Sequence, residues 1–130
     1  MTVMVGFVER IEDMALANDA FRRVVYTAPH SQLVLMCLEP GEDIGVETHA
    51  DIDQFFRIER GQGEIVLEGV SQPISAGSAV VVPAGTRHNL VNTSTTERLH
   101  LSTIYSPPAH RDGVVPRTKA EASADESDHT

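Results

Sequence analysis

Four side chains with nitrogen or oxygen donors stand in two short segments of this sequence and could share one site. Glu47 and His49 lie two residues apart, so on a β-strand both side chains would point to the same face of the sheet. Gln54 alternates with Phe56 and Ile58, which predicts that its amide faces an apolar interior. A buried amide without a partner costs roughly 1–3 kcal/mol, and a metal ion is one partner that would satisfy it.

The fourth side chain, His88, begins a strand after the turn Pro83-Ala84-Gly85. His88, Leu90 and Asn92 share one face of that strand, because side chains alternate between its two faces. If this face looks into the same interior as Gln54, the imidazole of His88 converges on the first three side chains.

Short strands separated by turns must position these side chains. Apolar and β-branched runs predict strands at residues 21–27, 32–39, 47–49, 54–60, 64–68, 79–82, 88–92 and 98–105. Many short strands at regular spacing are typical of a closed barrel or a sandwich, and the lack of an internal repeat favours a single barrel.

The two ends of the chain differ from this central part. An N-terminal segment, residues 1–20, contains a predicted short amphipathic helix at residues 8–19. The barrel is expected to span residues 21–108. Residues 109–130 form a polar C-terminal tail with too few apolar side chains to fold alone, so it either docks on the barrel or stays without structure.

Charge and composition exclude several classes of partner. Ten Lys and Arg stand against 19 Asp and Glu, a formal net charge of −9. Such a surface repels phosphate backbones and anionic lipids, so we expect no nucleic-acid and no membrane partner. The short apolar runs and the lack of a signal-peptide pattern favour a cytoplasmic protein. The single cysteine, Cys37, excludes an internal disulfide and a Cys-based zinc site.

Both segments resemble the two sequence motifs of the cupin family. The second motif, Gly-x5-Pro-x-Gly-x2-His-x3-Asn, is matched at every fixed position by Gly77, Pro83, Gly85, His88 and Asn92. The first, Gly-x5-His-x-His-x3,4-Glu-x6-Gly, is matched by Gly41, His49 and Gly61. The resemblance covers about residues 33 to 104. It implies an all-β fold, a cupin-type antiparallel β-barrel (a double-stranded β-helix, or jelly roll), here with a short N-terminal helix.

The resemblance also implies one divalent metal ion, held by Glu47, His49, Gln54 and His88. This chain departs from the usual pattern twice, with Glu47 in place of the first histidine and Gln54 in place of the glutamate. The number of charges is unchanged, and two histidines with one carboxylate suit iron, manganese, nickel or zinc. Gln54 would be a weak ligand or would hold a metal-bound water.

Several functions are compatible with such a site. Cupins of this size include metal-dependent isomerases, lyases and dioxygenases, so the first hypothesis is an enzyme that acts on a small oxygen-rich molecule, similar to a sugar or an organic acid. The alternatives are a non-catalytic ligand-binding or sensor cupin and a metal-free structural barrel. A mannose-6-phosphate isomerase-like function is disfavoured, because only Arg57, Arg60 and Arg87 lie near the motifs to bind a phosphate. The resemblance further implies a homodimer paired through sheet edges.

No catalytic residue beyond the metal set can be assigned from the sequence. His100 could line the interior, but a hydrogen-bonded structural histidine is the favoured interpretation. Tyr105 could act as a general acid, but a buried, hydrogen-bonded structural tyrosine is the default interpretation. His110 follows two prolines, and a surface loop is favoured there over a lid on the site.

Overall fold

The computed structural model describes residues 5–124, and these form ten elements of secondary structure. Two are short helices and eight are strands. In chain order they are α1 (Ile11–Ala17), β1 (Arg22–Thr27), β2 (Gln32–Leu38), β3 (Asp53–Arg60), β4 (Gln62–Leu67), β5 (Val70–Ser75), β6 (Ala79–Val82), β7 (His88–Asn92), β8 (Leu99–Ser106) and α2 (Lys119–Ala124).

The strands form two antiparallel sheets that face each other, which confirms the predicted all-β barrel. The larger sheet has the order β1-β2-β8-β3-β6 and the smaller one the order β5-β4-β7. Their inner faces bury large side chains such as Phe56, Ile58, Leu90 and Leu101 completely. Each such side chain contributes about 1.5–3 kcal/mol on burial.

The observed elements differ from the predicted ones in three main ways. The helix is shorter, Ile11–Ala17 rather than residues 8–19. Residues 47–49 are not a strand; Glu47 forms an isolated bridge with His88 instead. Strand β5 was missed because its sequence VSQPIS is polar and almost wholly exposed, so it lacks an alternation of apolar side chains.

The described part of the C-terminal tail packs against the barrel. The backbone amides of Phe21, Arg22 and Val24 donate to carbonyl oxygens of residues 114–117 at 3.0–3.2 Å, so these residues run antiparallel to β1. Helix α2 then buries Ala122 against the core. The predicted tail extends to residue 130, and its last six residues lie outside the described part of the chain, as do residues 1–4 of the N-terminal segment. Neither described helix has the length and apolar character needed to cross a membrane.

Candidate metal centre

A pair of reciprocal backbone hydrogen bonds brings the two motif segments together. The amide of Glu47 donates to the carbonyl oxygen of His88, and the amide of His88 donates to that of Glu47, both at 2.9 Å. The amide of Gly85 donates to the carbonyl oxygen of His49 at 2.8 Å. Gly85 has a φ of +84°, a conformation that glycine adopts without strain. The Pro-x-Gly turn therefore holds the loop that carries Glu47 and His49 beside the start of β7.

The side chains of Glu47, His49 and His88 converge at this point. One donor atom from each lies within 4.8 Å of the other two. The shortest contact joins Nε2 of His49 to Oε2 of Glu47 at 2.7 Å. Both imidazoles are buried, with 6% and 2% of their surface exposed, whereas the Glu47 side chain is about one-fifth exposed. These three residues could together hold a metal ion.

A backbone carbonyl orients the imidazole of His88. Nδ1 of His88 lies 2.9 Å from the carbonyl oxygen of Thr86. Because a carbonyl oxygen only accepts hydrogen bonds, Nδ1 carries the proton and Nε2 presents its lone pair to the interior. Histidines that bind metal ions are held by their second ring nitrogen in this way.

Gln54 is oriented by a hydroxyl on β8. Nε2 of Gln54 donates to Oγ1 of Thr103 at 3.0 Å, which turns Oε1 towards Nε2 of His88 at 3.2 Å. Two acceptor atoms thus face each other and require a cation or a proton between them. Ligands about 2.1 Å from a metal ion and at right angles to each other are separated by about 3 Å. The 2.7 and 3.2 Å separations at this site fit a divalent ion.

Tyr105 lies on the inner wall of the barrel beside these residues. Its ring packs edge-on against His49, with 6.1 Å between the ring centroids. Burial raises the pKa of the Tyr105 hydroxyl far above its usual range, although hydrogen bonding to the side chains of Arg22 and Gln54 acts to lower it. The phenol is therefore neutral and can donate a hydrogen bond.

The other two candidates for proton transfer, His110 and His100, lie in different places. The ring of His110 packs edge-on against Tyr105 at 4.9 Å, and His110 is buried rather than exposed on a surface loop. The side chain of Gln32 holds this loop by accepting from the amide of His110 and donating to its carbonyl oxygen. His100 instead lies under α1, where Nδ1 is 3.1 Å from the carbonyl oxygen of Ala15.

A cavity of about 480 Å³ adjoins Glu47 and His49. Its size suits a small molecule. Phe21 and Ile44 contribute apolar surface, and Lys119 on α2 lies across it. Lys119 forms an ion pair with Asp43, so the C-terminal segment closes one side of the cavity.

Arg22 is a residue near the site that sequence reasoning missed. Its side chain points into the barrel and is 3% exposed. The segment Arg22-Arg23-Val24-Val25 places one arginine and one valine on each face of β1, so alternation could not show which arginine points inward.

The fold is a small antiparallel β-barrel that gathers histidine, carboxylate and amide donors able to hold a metal ion. Residues 34–105 match the family model described as a cupin domain. These residues include all four candidate ligands and more than half of the chain, and the protein therefore belongs to the cupin family.

Similarity to individual proteins extends beyond the matched domain. The uncharacterized protein YrkC of Bacillus subtilis (strain 168) is 46% identical over 127 residues, which cover 92% of this chain and 67% of that protein. The crystal structure of BH2720 from Bacillus halodurans is 42% identical, with a TM-score of 0.88 over 91% of this chain and 93% of that one. KdgF from Halomonas sp. is 27% identical, with a TM-score of 0.62 over 70% and 79% of the two chains.

Proposed function

We propose that this protein is a metal-dependent enzyme that acts on a small oxygen-rich molecule, similar to a sugar or an organic acid. The observation that carries the proposal is the convergence of donor atoms from Glu47, His49 and His88 beside a cavity of about 480 Å³. Gln54 is a fourth donor, because Thr103 turns its amide oxygen towards His88. Such a site could serve an isomerase, a lyase or a dioxygenase.

The bound metal would supply Lewis acidity to a ligand oxygen or activate a bound water. The chain's own residues then bind and orient the molecule. The neutral hydroxyl of Tyr105 donates a hydrogen bond from the inner wall. Phe21 and Ile44 exclude water from the apolar side of the cavity. Lys119 places a positive charge at its edge.

Metal analysis tests the ligand set directly. Protein purified without chelator or affinity tag should contain about one equivalent of iron, manganese, nickel or zinc by mass spectrometry. His49→Ala and His88→Ala should each abolish this metal while circular dichroism remains that of the folded protein. His100→Ala is the matched control, because His100 is also buried but lies under α1.

The metal found would direct the search for a reaction. Iron would point to oxygen chemistry, and zinc or manganese to isomerisation or lyase chemistry. A full equivalent of metal in His49→Ala or His88→Ala would refute the ligand assignment. Metal-loaded protein that binds small molecules but turns over none of a panel of hydroxy acids, keto acids and sugars would indicate a binding protein rather than an enzyme.

A further inference from the structure

Arg22 is a buried cation on the inner face of the barrel. It is the first residue of β1, where it lies opposite Met36 and on the same face as the buried Val24. Only 3% of Arg22 is exposed, whereas Arg23 on the outer face is half-buried and donates from Nε to Oδ1 of Asn18 at 3.0 Å. The two adjacent arginines therefore differ in environment although they share a strand.

The guanidinium of Arg22 is not fully satisfied by the protein. Nε and Nη1 are buried and have no hydrogen-bond partner within the described part of the chain. Leaving N–H groups of a charged side chain buried without a partner is unfavourable, because the low dielectric of the interior replaces the water that would solvate them. A complementary anion would remove this cost.

A short series of contacts connects Arg22 to the candidate metal centre. The side chains of Arg22 and Gln54 both lie near enough to the hydroxyl of Tyr105 to lower its pKa. The amide oxygen of Gln54 is in turn 3.2 Å from His88. On its other side, the guanidinium carbon of Arg22 lies 5.6 Å from the ring centroid of Phe21, which lines the cavity beside Glu47 and His49. Arg22 is thus linked through Tyr105 and Gln54 to the metal ligands, and through Phe21 to the wall of the cavity.

We propose that Arg22 binds the carboxylate group of a small organic acid inside the barrel. This inference rests on the proposed function, since it names the class of molecule that the metal site would take. A guanidinium presents a planar pair of N–H groups that matches a carboxylate, and a charge-assisted bond of this kind is strong where water is excluded. Selection of an acid over an uncharged sugar follows, because an uncharged hydroxyl would leave the buried positive charge uncompensated.

Carboxylate binding can be measured without knowing the natural substrate. The probe is malonate, with malonamide as its uncharged analogue, titrated calorimetrically at constant ionic strength into the full chain with and without added Zn²⁺. Arg22→Gln should weaken malonate binding about 10- to 100-fold, and Arg23→Gln should leave it unchanged. Malonamide should bind wild-type protein no more tightly than it binds Arg22→Gln.

Thermal unfolding gives a second, independent readout. Malonate should raise the Tm of wild-type protein but not that of Arg22→Met, because only a protein that binds a ligand in its folded state is stabilised by it. Without malonate, Arg22→Met should be at least as stable as wild type, since methionine removes an uncompensated buried charge. A rise in the Tm of Arg22→Met with malonate that equals the rise seen for wild type would overturn the proposal.

The outcomes separate this inference from the proposed function. Equal malonate affinity in wild type and Arg22→Gln, or no malonate binding to wild type at about 10 mM, would overturn the role of Arg22 even if the metal is present. Binding of malonate that depends on Arg22 in a protein that takes up no metal would support the carboxylate site and refute the metal-dependent function.

Discussion

The hydroxyl of Thr103 is expected to control metal affinity without binding the metal. Thr103 lies on β8 opposite Phe56 and is fully buried. Its Oγ1 accepts a hydrogen bond from Nε2 of Gln54 at 3.0 Å, and this contact turns the amide oxygen towards His88. Thr103→Val replaces the hydroxyl by a methyl group of similar size and removes the acceptor.

The size of the effect follows from the burial of both partners. Nε2 of Gln54 would lose this acceptor in a residue that is 3% exposed, at a cost of about 1–3 kcal/mol. The Gln54 amide can recover part of this free energy by rotating to another partner. Rotation, however, moves its oxygen away from the three other candidate metal ligands. Loss of a partner that orients a metal ligand lowers metal affinity about 10- to 100-fold, or about 1.4–2.7 kcal/mol. The two ranges agree.

Competition with a chromophoric chelator measures the effect. Zn²⁺ affinity is compared for wild type, Thr103→Val and Thr103→Ser, and urea unfolding of the metal-free proteins reports any separate loss of stability. Thr103→Ser keeps the acceptor oxygen and should bind Zn²⁺ within about threefold of wild type. Unchanged Zn²⁺ affinity in Thr103→Val would refute the reasoning that Thr103 positions Gln54 as a ligand.

Three further predictions concern the framework around the site. Nδ2 of Asn92 lies 2.9–3.1 Å from three backbone carbonyl oxygens, which share its two N–H groups. Asn92→Asp should therefore lower the free energy of unfolding by about 3–5 kcal/mol in urea titrations, and a loss below about 1 kcal/mol would contradict this. Burial would raise the pKa of Asp43, but hydrogen bonds from Lys119 and Asn89 outweigh it and lower the pKa. The stability that Asp43 adds to the docking of α2 is therefore complete above its ordinary pKa, about 3.9, and is lost as the pH falls below that value. The NMR shifts of α2 should change over this pH range in wild type but not in Asp43→Asn. Burial raises the pKa of Cys37 to about 11, so a disulfide reagent at pH 8 should modify the folded protein about 100-fold more slowly than the unfolded one, and similar rates would show that the thiol is accessible.

Local patterns in the sequence were sufficient to predict the barrel and the segments that carry the donors. The alternation of Gln54, Phe56 and Ile58 correctly predicted the buried face of β3, because side-chain direction on a strand depends only on neighbouring residues. The Pro83-Ala84-Gly85 turn could also be predicted from the sequence. Strand β5 could not, since a mostly exposed strand needs no apolar pattern and is held by its pairing with β4.

Contacts between distant residues needed the tertiary structure. Glu47 pairs with His88 through a backbone bridge, and Gln54 on β3 donates a hydrogen bond to Thr103 on β8. The spacing of these residues along the chain encodes neither contact. The same holds for His110, which sequence position suggested was on the surface but which packs against Tyr105.

Arg22 illustrates the limit most clearly. In Arg22-Arg23-Val24-Val25, each face of β1 carries one arginine and one valine. The sequence alone therefore indicates that one arginine points inward, but not which one. Pairing with β2 decided that it is Arg22. Side-chain alternation is a local property of the backbone, whereas burial depends on which other strands cover each face, and that arrangement exists only once the chain has folded.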